Sequence, residues 1–127
     1  MAGDIGDYLM EKIGCYVSSP YKHVDVVGEI KEWAIYNFLI SDGQRLCIAN
    51  KNAVWRLSCR NASKAPNKGR PLYSLIKKGT HVTVYLFNGK ISGQLRHVGN
   101  FEVVVGVGEE EYYIHKDQIV AICWGQT

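Results

Sequence analysis

An Asn-Gly pair, Asn88-Gly89, lies between two strand-like runs and constrains the fold of this chain more than any other feature. Asn-Gly is the strongest short-range hairpin signal, because a type I′ turn needs positive φ at both central residues. The preceding run, residues 82–87, alternates, and the following run, residues 90–95, carries Gly93 at its centre. A glycine inside a strand marks a bend or a bulge. The sequence therefore predicts a strongly bent hairpin of the kind that closes a small sheet into a barrel.

Length and composition favour a folded, soluble protein. The chain has 127 residues, of which 46% are hydrophobic and 21% are charged. This is enough for one ordinary domain or two very small ones. No apolar run approaches the length of a membrane span, and the acidic N-terminus lacks a secretory signal pattern. We expect a cytoplasmic protein with no membrane partner.

Cysteine and histidine spacing gives no sign of a metal or a cofactor. Cys15, Cys47, Cys59 and Cys123 are far apart and form no CxxC pair. We expect four reduced thiols in or near a core, since a disulfide framework is more typical of small secreted chains. The four histidines show no metal-ligand spacing. No Ser/His/Asp, Cys/His, paired-carboxylate or phosphate-loop arrangement is present, so no catalytic residues are assigned and no enzyme is expected.

The excess positive charge is concentrated in one segment. The net charge is +3, and residues 60–71 hold four basic side chains and no acidic one, whereas the flanking parts are close to neutral. This stretch is also rich in Pro, Gly, Asn and Ser, which indicates a linker. We therefore divide the chain into a first domain at residues 1–59, a basic linker at 60–70 and a second domain at 71–127. The linker either contacts phosphates or is simply solvated.

Each domain is predicted to begin with a short helix and to continue as five strands. The helices are expected at residues 8–13 and 71–76, with Gly14 and Gly79 ending them. The strands of the first domain are expected near residues 15–18, 24–31, 33–41, 44–49 and 53–58. Those of the second are expected near 81–87, 90–97, 101–107, 110–115 and 119–124. The fold class is mainly β.

The two domains can be superposed at a constant shift of 65 residues. Special positions match at this shift: the helix-ending glycines Gly14 and Gly79, the mid-strand glycines Gly28 and Gly93, and the aromatic turn residues. A fixed internal period indicates a repeated structural unit. We interpret the chain as a tandem duplication.

Residues 71–124 resemble the Sm-like family, and within it the bacterial RNA chaperone Hfq. The resemblance is carried by these segments: Leu75-Ile76-Lys77-Lys78, Val82 to Leu86, Asn88-Gly89, Gly93-Gln94-Leu95, Asn100-Phe101 and Ile114-His115-Lys116. The first domain looks like a more diverged member. The resemblance implies two tandem Sm-like small barrels, each with a short N-terminal helix and a strongly bent five-stranded antiparallel sheet.

The resemblance also implies an assembly and a ligand. Family members close rings of subunits by pairing edge strands, which removes exposed edges. Two domains per chain imply a homotrimer that forms a pseudo-hexameric ring. The ligand implied is single-stranded, uridine-rich RNA bound at the pore.

Two groups of residues match the RNA-binding positions of the family. In the pore group an aromatic residue stacks on the base and a lysine lies nearby; its members are Tyr36, Lys51, Asn52, Asn100, Phe101, Lys116 and Asp117. A second RNA face, which takes adenine-rich RNA in Hfq, matches Tyr85, Gly89, Lys90 and Ser92. Asn52 and Asp117 depart from the histidine that Hfq has at that position. The aromatic pair has an alternative role as a cap on the barrel core, and Tyr85 has one as a packed strand residue.

The sequence thus supports a hypothesis of a non-enzymatic RNA-binding protein with RNA chaperone activity. The alternative is a structural or protein-binding ring of subunits without RNA affinity. The near-neutral domains and Asp117 favour the alternative, because a carboxylate repels phosphates.

Overall fold

A computed structural model of the chain describes residues 12–60, 63–64 and 69–125. These residues form the strands β1 (Lys12–Ile13), β2 (Tyr16–Ser18), β3 (Val27–Trp33), β4 (Asn37–Ser41), β5 (Arg45–Asn50), β6 (Arg56–Ser58), β7 (Ser63–Lys64), β8 (His81–Leu86), β9 (Gly89–Val98), β10 (Glu102–Val107), β11 (Glu110–His115) and β12 (Ile119–Gly125). Short 3-10 helices lie at Leu72–Leu75 and Lys116–Gln118. All ten strands predicted from the sequence overlap a strand of the structure.

Ten of the strands form one antiparallel sheet in the order β11-β10-β9-β8-β12-β5-β4-β3-β2-β6, and β1 pairs with β7. The two ends of this order, β11 and β6, are edges, so the described residues contain no closed barrel. The prediction of two small barrels is therefore wrong. The reason is that β5 and β12 pair with each other and join the strands of both halves into one continuous sheet. The strand pairing lies within one chain and shows neither a ring of subunits nor an oligomer.

The predicted N-terminal helices are also wrong where the structure describes them. Lys12 and Ile13 form β1 instead of ending a helix, and the rest of that prediction, residues 8–11, lies outside the described residues. In the second half, a single 3-10 turn at Leu72–Leu75 replaces the expected helix. Pro71 precedes this turn with an extended backbone, and Ile76, which follows it, is extended as well. No helix in the described parts of the chain has the length and apolarity needed to cross a bilayer.

The predicted hairpin around Asn88-Gly89 exists, but its turn is shifted by one residue. Leu86 pairs with Gly89, so the two loop residues are Phe87 and Asn88. Gly89 is already the first residue of β9 and is absent from the glycines with positive φ. The hairpin position follows from the alternating strands, and the register places the Asn-Gly pair at the end of the turn.

Backbone contacts repeat between the two halves at a shift of 65 residues. Each half has five sheet strands in the same order, β6-β2-β3-β4-β5 and β12-β8-β9-β10-β11. A β-bulge skips Lys31 in the first half and Arg96 in the second. Four further pairs of backbone hydrogen bonds match: Gly14 N–H to Ile30 O and Gly79 N–H to Leu95 O, Ile30 N–H to Cys15 O and Leu95 N–H to Thr80 O, Ala34 N–H to Asn37 O and Gly99 N–H to Glu102 O, and Lys51 N–H to Tyr36 O and Lys116 N–H to Phe101 O.

Gly28 and Gly93 occupy equivalent places where neighbouring strands leave no room for a Cβ. A Cβ built on Gly28 would overlap the carbonyl oxygen of Ser41 and lie 2.8 Å from the Ile40 side chain. A Cβ on Gly93 would overlap the carbonyl oxygen of Gly106 and lie 2.9 Å from the Val105 side chain. Only glycine permits this approach of neighbouring strands. A side chain at either glycine would therefore push the neighbouring strands apart.

Both halves bury an apolar core, and covalent bonds reinforce the sheet. Cys15 is bonded to Cys59, and Cys47 is bonded to Cys123. The expectation of four reduced thiols is wrong, because each cysteine lies directly opposite another on a neighbouring antiparallel segment. The sequence spacing could not show this, since the partners are 44 and 76 residues apart.

Side-chain contacts also hold the two halves together. The hydroxyl of Tyr85 on β8 donates a short hydrogen bond to Asp25 and accepts one from Arg45 at 3.1 Å. Arg45 also donates to the carbonyl oxygen of Asp25 at 3.0 Å. His23 is hydrogen-bonded through Nε2 to the carbonyl oxygen of Leu86 at 2.6 Å. The junction of the halves is thus a hydrogen-bonded strand pair, a disulfide and a polar network.

Candidate nucleic-acid interface

A cavity of about 380 Å³ lies at the junction of the two halves. Its walls come from the β3–β4 loop, β4 and β5 of the first half, and from the β9–β10 loop and the β11–β12 connection of the second. The lining residues are Tyr36, Asn37, Ile48, Asn50, Asn52, Tyr73, Asn100, Phe101, His115, Lys116, Asp117 and Ile119. Most of the surface that the cavity exposes is apolar, although seven of the twelve lining residues are asparagine, histidine, lysine or aspartate. Apolar walls with convergent polar groups are usual for a ligand site.

Two exposed aromatic side chains, one from each half, stand at this cavity. Tyr36 is 79% exposed and Phe101 is 68% exposed. Their carbonyl oxygens accept hydrogen bonds from Lys51 N–H and Lys116 N–H, at 3.2 and 2.8 Å, which fix the aromatic loop of each half to the segment after β5 or β11. The suggestion that they cap a core is not what the structure shows, because a core residue would be buried.

Lys116 supplies the positive charge of the cavity. Its ammonium nitrogen lies 4.5 Å from the centroid of the Tyr73 ring, within the range of a cation–π contact. Burial lowers the pKa of Lys116, and the nearby Glu102 carboxylate acts in the opposite direction. Burial also raises the pKa of the Tyr73 phenol, so this hydroxyl stays neutral. The contact holds a cation beside the aromatic wall.

His115 and Asp117 form a pair beside Phe101. Nδ1 of His115 lies 2.7 Å from an Asp117 carboxylate oxygen. The imidazole ring is nearly parallel to the Phe101 ring, with an interplanar angle of 15° and centroids 6.4 Å apart. The Asp117 carboxylate thus has a hydrogen-bonding partner in the imidazole beside it.

Asn50 connects the halves, whereas Asn37 presents an unpartnered atom. Nδ2 of Asn50 donates to the carbonyl oxygen of Ile119 at 3.0 Å, and its Oδ1 accepts a hydrogen bond from Asn52 N–H at 2.9 Å. Asn37 lies opposite Asn50 in the β4–β5 pair. Its Oδ1 is buried and has no hydrogen-bond partner in the described part of the chain.

The structure brings together six of the seven residues of the predicted pore group. Tyr36, Asn52, Asn100, Phe101, Lys116 and Asp117 all line the cavity. Lys51 does not; it is only 7% exposed, and its ammonium lies 5.3 Å from the centroid of the Trp33 ring. The lysines of the two halves therefore have different environments although their backbones are equivalent.

The residues of the predicted second RNA face lie on the β8–β9 hairpin, away from the cavity. Tyr85 is 2% exposed, and its hydroxyl is engaged with Asp25 and Arg45. Lys90 and Ser92 are exposed, and the Ser92 hydroxyl lies 3.1 Å from that of Thr83. Gly89 is half-buried at the start of β9. The phenol of Tyr85 serves as a contact between the halves and is not open to a base.

Sequence reasoning missed four lining residues that bear on the site: Asn37, Asn50, Tyr73 and His115. Asn37 directly follows Tyr36, and His115 directly precedes Lys116. Adjacency to these two predicted site residues was the signal that could have identified Asn37 and His115. Asn50 directly precedes Lys51 and contacts the second half through the carbonyl oxygen of Ile119. Tyr73, which lies beneath the Lys116 ammonium, is far from every selected residue in the sequence.

The basic linker does not offer all its charges to a ligand. Arg70 donates two hydrogen bonds to the Glu32 carboxylate, at 2.7 and 3.1 Å, and Glu32 is itself buried. Lys64 lies in β7, paired with Lys12. Lys68 is outside the described residues. Among residues 12–60, 63–64 and 69–125 no group of metal-ligating side chains is found.

Comparison with known protein families corrects the resemblance drawn from the sequence. No curated protein matches the chain. Two family models cover it, and neither is Sm-like or Hfq, so the assignment to the Sm-like family is wrong. Residues 8–70 match the model of DUF5607 and residues 71–126 match that of DUF5608, each described as a domain of unknown function.

Proposed function

We propose that this protein binds single-stranded RNA, with an unpaired base held in the cavity between its two halves. The observation that carries the proposal is the pair of exposed aromatic side chains, Tyr36 and Phe101, on one cavity that also holds Lys116. Uridine-rich RNA is the ligand class to be tested first, and RNA chaperone activity would follow from binding it.

The aromatic walls account for affinity without base pairing. Stacking of a base on an aromatic side chain contributes about 1–3 kcal/mol per base, and every base has a π face. Single strands leave their bases free to stack, whereas a duplex does not. The Phe101 ring has no hydrogen-bonding group, and its exposure to water is unfavourable, so a base that stacks on it removes apolar surface from water.

A single lysine in the cavity suits one phosphate. Lys116 lies at the cavity, and its ammonium rests on Tyr73. A cation that is partly removed from water interacts more strongly with an anion than a fully solvated one. Phosphate contacts of this kind make binding depend on salt concentration.

The alternative is a structural or protein-binding role without RNA affinity. It is favoured by Asp117 at the cavity and by the exposed carboxylates of Glu109, Glu110 and Glu111, which repel a nucleic acid. Nucleic acid that copurifies with the protein, seen as a raised ratio of absorbance at 260 nm to that at 280 nm, favours RNA binding. A ratio typical of clean protein favours the alternative.

Titration of a fluorescently labelled uridine oligonucleotide tests the proposal. We expect Phe101→Ala to weaken binding by about tenfold, in line with the loss of one stacked base. The control is Tyr16→Ala, since Tyr16 is an exposed aromatic outside this cavity. Equal affinities of Phe101→Ala and the parent protein reject the site, and absence of any binding rejects the function.

The proposal includes self-association. The internal junction pairs β5 with β12, and the free edges β11 and β6 are their counterparts at the 65-residue shift. Pairing of β11 in one copy with β6 in the next repeats this junction and removes both exposed edges. Three copies is the expected number, and the native mass in solution tests it; a single-chain mass rejects it.

A cytoplasmic location is also part of the proposal, because RNA is available there. Disulfides are rare in that compartment except in some hyperthermophiles. A thiol count on protein extracted under conditions that block thiols tests whether Cys47 and Cys123 are bonded in the cell.

A further inference from the structure

We propose that Asn37 reads the bound base: its side-chain carbonyl accepts a hydrogen bond from a ring N–H on the Watson–Crick edge, which in uracil is the N3–H. This inference rests on the proposed RNA-binding function. It adds the specificity-determining residue and the chemical group that this residue recognises.

The first support is the unsatisfied acceptor. Oδ1 of Asn37 is buried without a hydrogen-bond partner among the described residues, and Asn37 lines the cavity. A buried carbonyl left unpaired is costly, and native proteins rarely keep one without a reason. The side-chain amide torsion of asparagine is broad, so a rotation brings the carbonyl to a donor in the cavity.

The second support is that the other polar groups around Asn37 are already occupied or solvated. Asn50 uses both its amide nitrogen and its oxygen inside the protein. Asn52 and Asn100 are exposed to solvent, which satisfies them. Asn37 is therefore the amide in this cavity whose acceptor gains most from a ligand.

The third support is the difference from the equivalent residue of the second half. Glu102 corresponds to Asn37 at the 65-residue shift. Its carboxylate accepts a hydrogen bond from Phe101 N–H at 3.3 Å and lies 3.6 Å from Nε2 of His97. Glu102 is thus partnered, whereas Asn37 is not, so the two halves contribute unequally to recognition.

Uracil suits the available chemistry. A site with one acceptor selects a base whose edge carries a donor, and a site built around a hydrogen bond rejects an analogue that lacks the donor. N3-methyluridine keeps the stacking face of uridine and loses the N3–H. It is therefore the probe that separates stacking from edge reading.

The experiment titrates oligomers of uridine and of N3-methyluridine into the parent protein, Asn37→Leu and Asn37→Ala. We expect the parent protein to bind the uridine oligomer about tenfold more tightly than the N3-methyluridine oligomer. In both variants the uridine affinity falls to that of the methylated oligomer, whose affinity does not change. Gln94→Leu, which removes an exposed amide on β9 outside the cavity, leaves both affinities unchanged.

Stability separates this role from a structural one. Because Asn37→Leu removes an unpaired buried carbonyl, we expect its unfolding temperature to be unchanged or higher. Equal binding of the two oligomers by the parent protein overturns the inference and leaves the proposed function intact, provided that Phe101→Ala still weakens both. Discrimination that persists in Asn37→Leu also overturns it. No binding of either oligomer overturns the inference and the function together.

Discussion

Cys47 on β5 and Cys123 on β12 lie directly opposite each other and are joined by a disulfide. These two strands join the halves of the molecule. The cavity, with Tyr36 on one side and Phe101 on the other, lies at the same junction. The disulfide therefore crosslinks the junction on which the candidate site depends.

Removal of this disulfide is expected to destabilise the whole chain. The bridge closes a segment of 76 residues, and a crosslink of this length restricts the unfolded state. The double variant Cys47→Ala/Cys123→Ala should lose about 2–4 kcal/mol in the free energy of unfolding, measured by denaturant titration. Cys15→Ala/Cys59→Ala is the comparison, since its bridge lies within the first half. A Cys47/Cys123 variant as stable as the parent protein would contradict a stabilising role of this disulfide.

Gly93 is expected to tolerate no side chain. Since a Cβ there would overlap the carbonyl oxygen of Gly106, Gly93→Ala must push β9 and β10 apart. We expect a loss of about 1–3 kcal/mol in the free energy of unfolding. Gly125→Ala is the matched control, because no atom lies within 4 Å of the Cβ position there. Equal stability of the two variants would show that the strands are not as close as described.

Lys116 is expected to account for one phosphate contact. Replacing it by alanine should reduce the slope of log affinity against log salt concentration by about 0.7, the value for one contact with a single strand. Lys22→Ala, an exposed lysine outside the cavity, should leave the slope as it is. The measurement is RNA titration at several salt concentrations. If the salt-dependence slope of Lys116→Ala equals that of the parent protein, Lys116 does not contact a phosphate.

Asp25 is expected to make stability depend on acid pH. The hydrogen bond from Tyr85 lowers the pKa of Asp25 below its ordinary 3.8, and Arg45 adds to this effect. A carboxylate with a lowered folded-state pKa stabilises the fold fully above its unfolded pKa and loses that contribution as pH falls through the folded value. The stability difference between the parent protein and Asp25→Asn should therefore be constant near neutral pH and shrink below pH 3.8. A difference that grows with acidification would contradict the assignment.

Local patterns were sufficient for the strands but not for their assembly. Alternation and turn residues located all ten sheet strands, because each signal is read within a few residues. The pairing of Cys47 with Cys123 joins strands 76 residues apart, and no periodicity encodes it. The helix predicted after Pro71 failed because the backbone becomes extended at Ile76 after a single 3-10 turn. Leu72 and Ile76 are buried there, and packing overrides helix propensity.

The candidate site was predictable where the chain repeats itself. Tyr36 and Phe101 were found because turn aromatics recur at the 65-residue shift, and both line the cavity. Lys51 was predicted to share a site with Lys116, but it does not line the cavity. The backbones of the two lysines are equivalent, yet this does not determine which group a long side chain contacts. In the structure Lys51 lies over Trp33, and Lys116 lies over Tyr73. The counterpart of Tyr73 at the 65-residue shift is Tyr8, which lies outside the described residues.

Photo-crosslinking shows directly whether single-stranded RNA binds in the cavity between the two halves. A single-stranded oligonucleotide containing 4-thiouridine is bound, irradiated and digested, and mass spectrometry identifies the crosslinked residues. We expect crosslinks at Tyr36, Phe101 or His115, which share one cavity. Crosslinks confined to the linker or to the β8–β9 hairpin, or none above background, would contradict it.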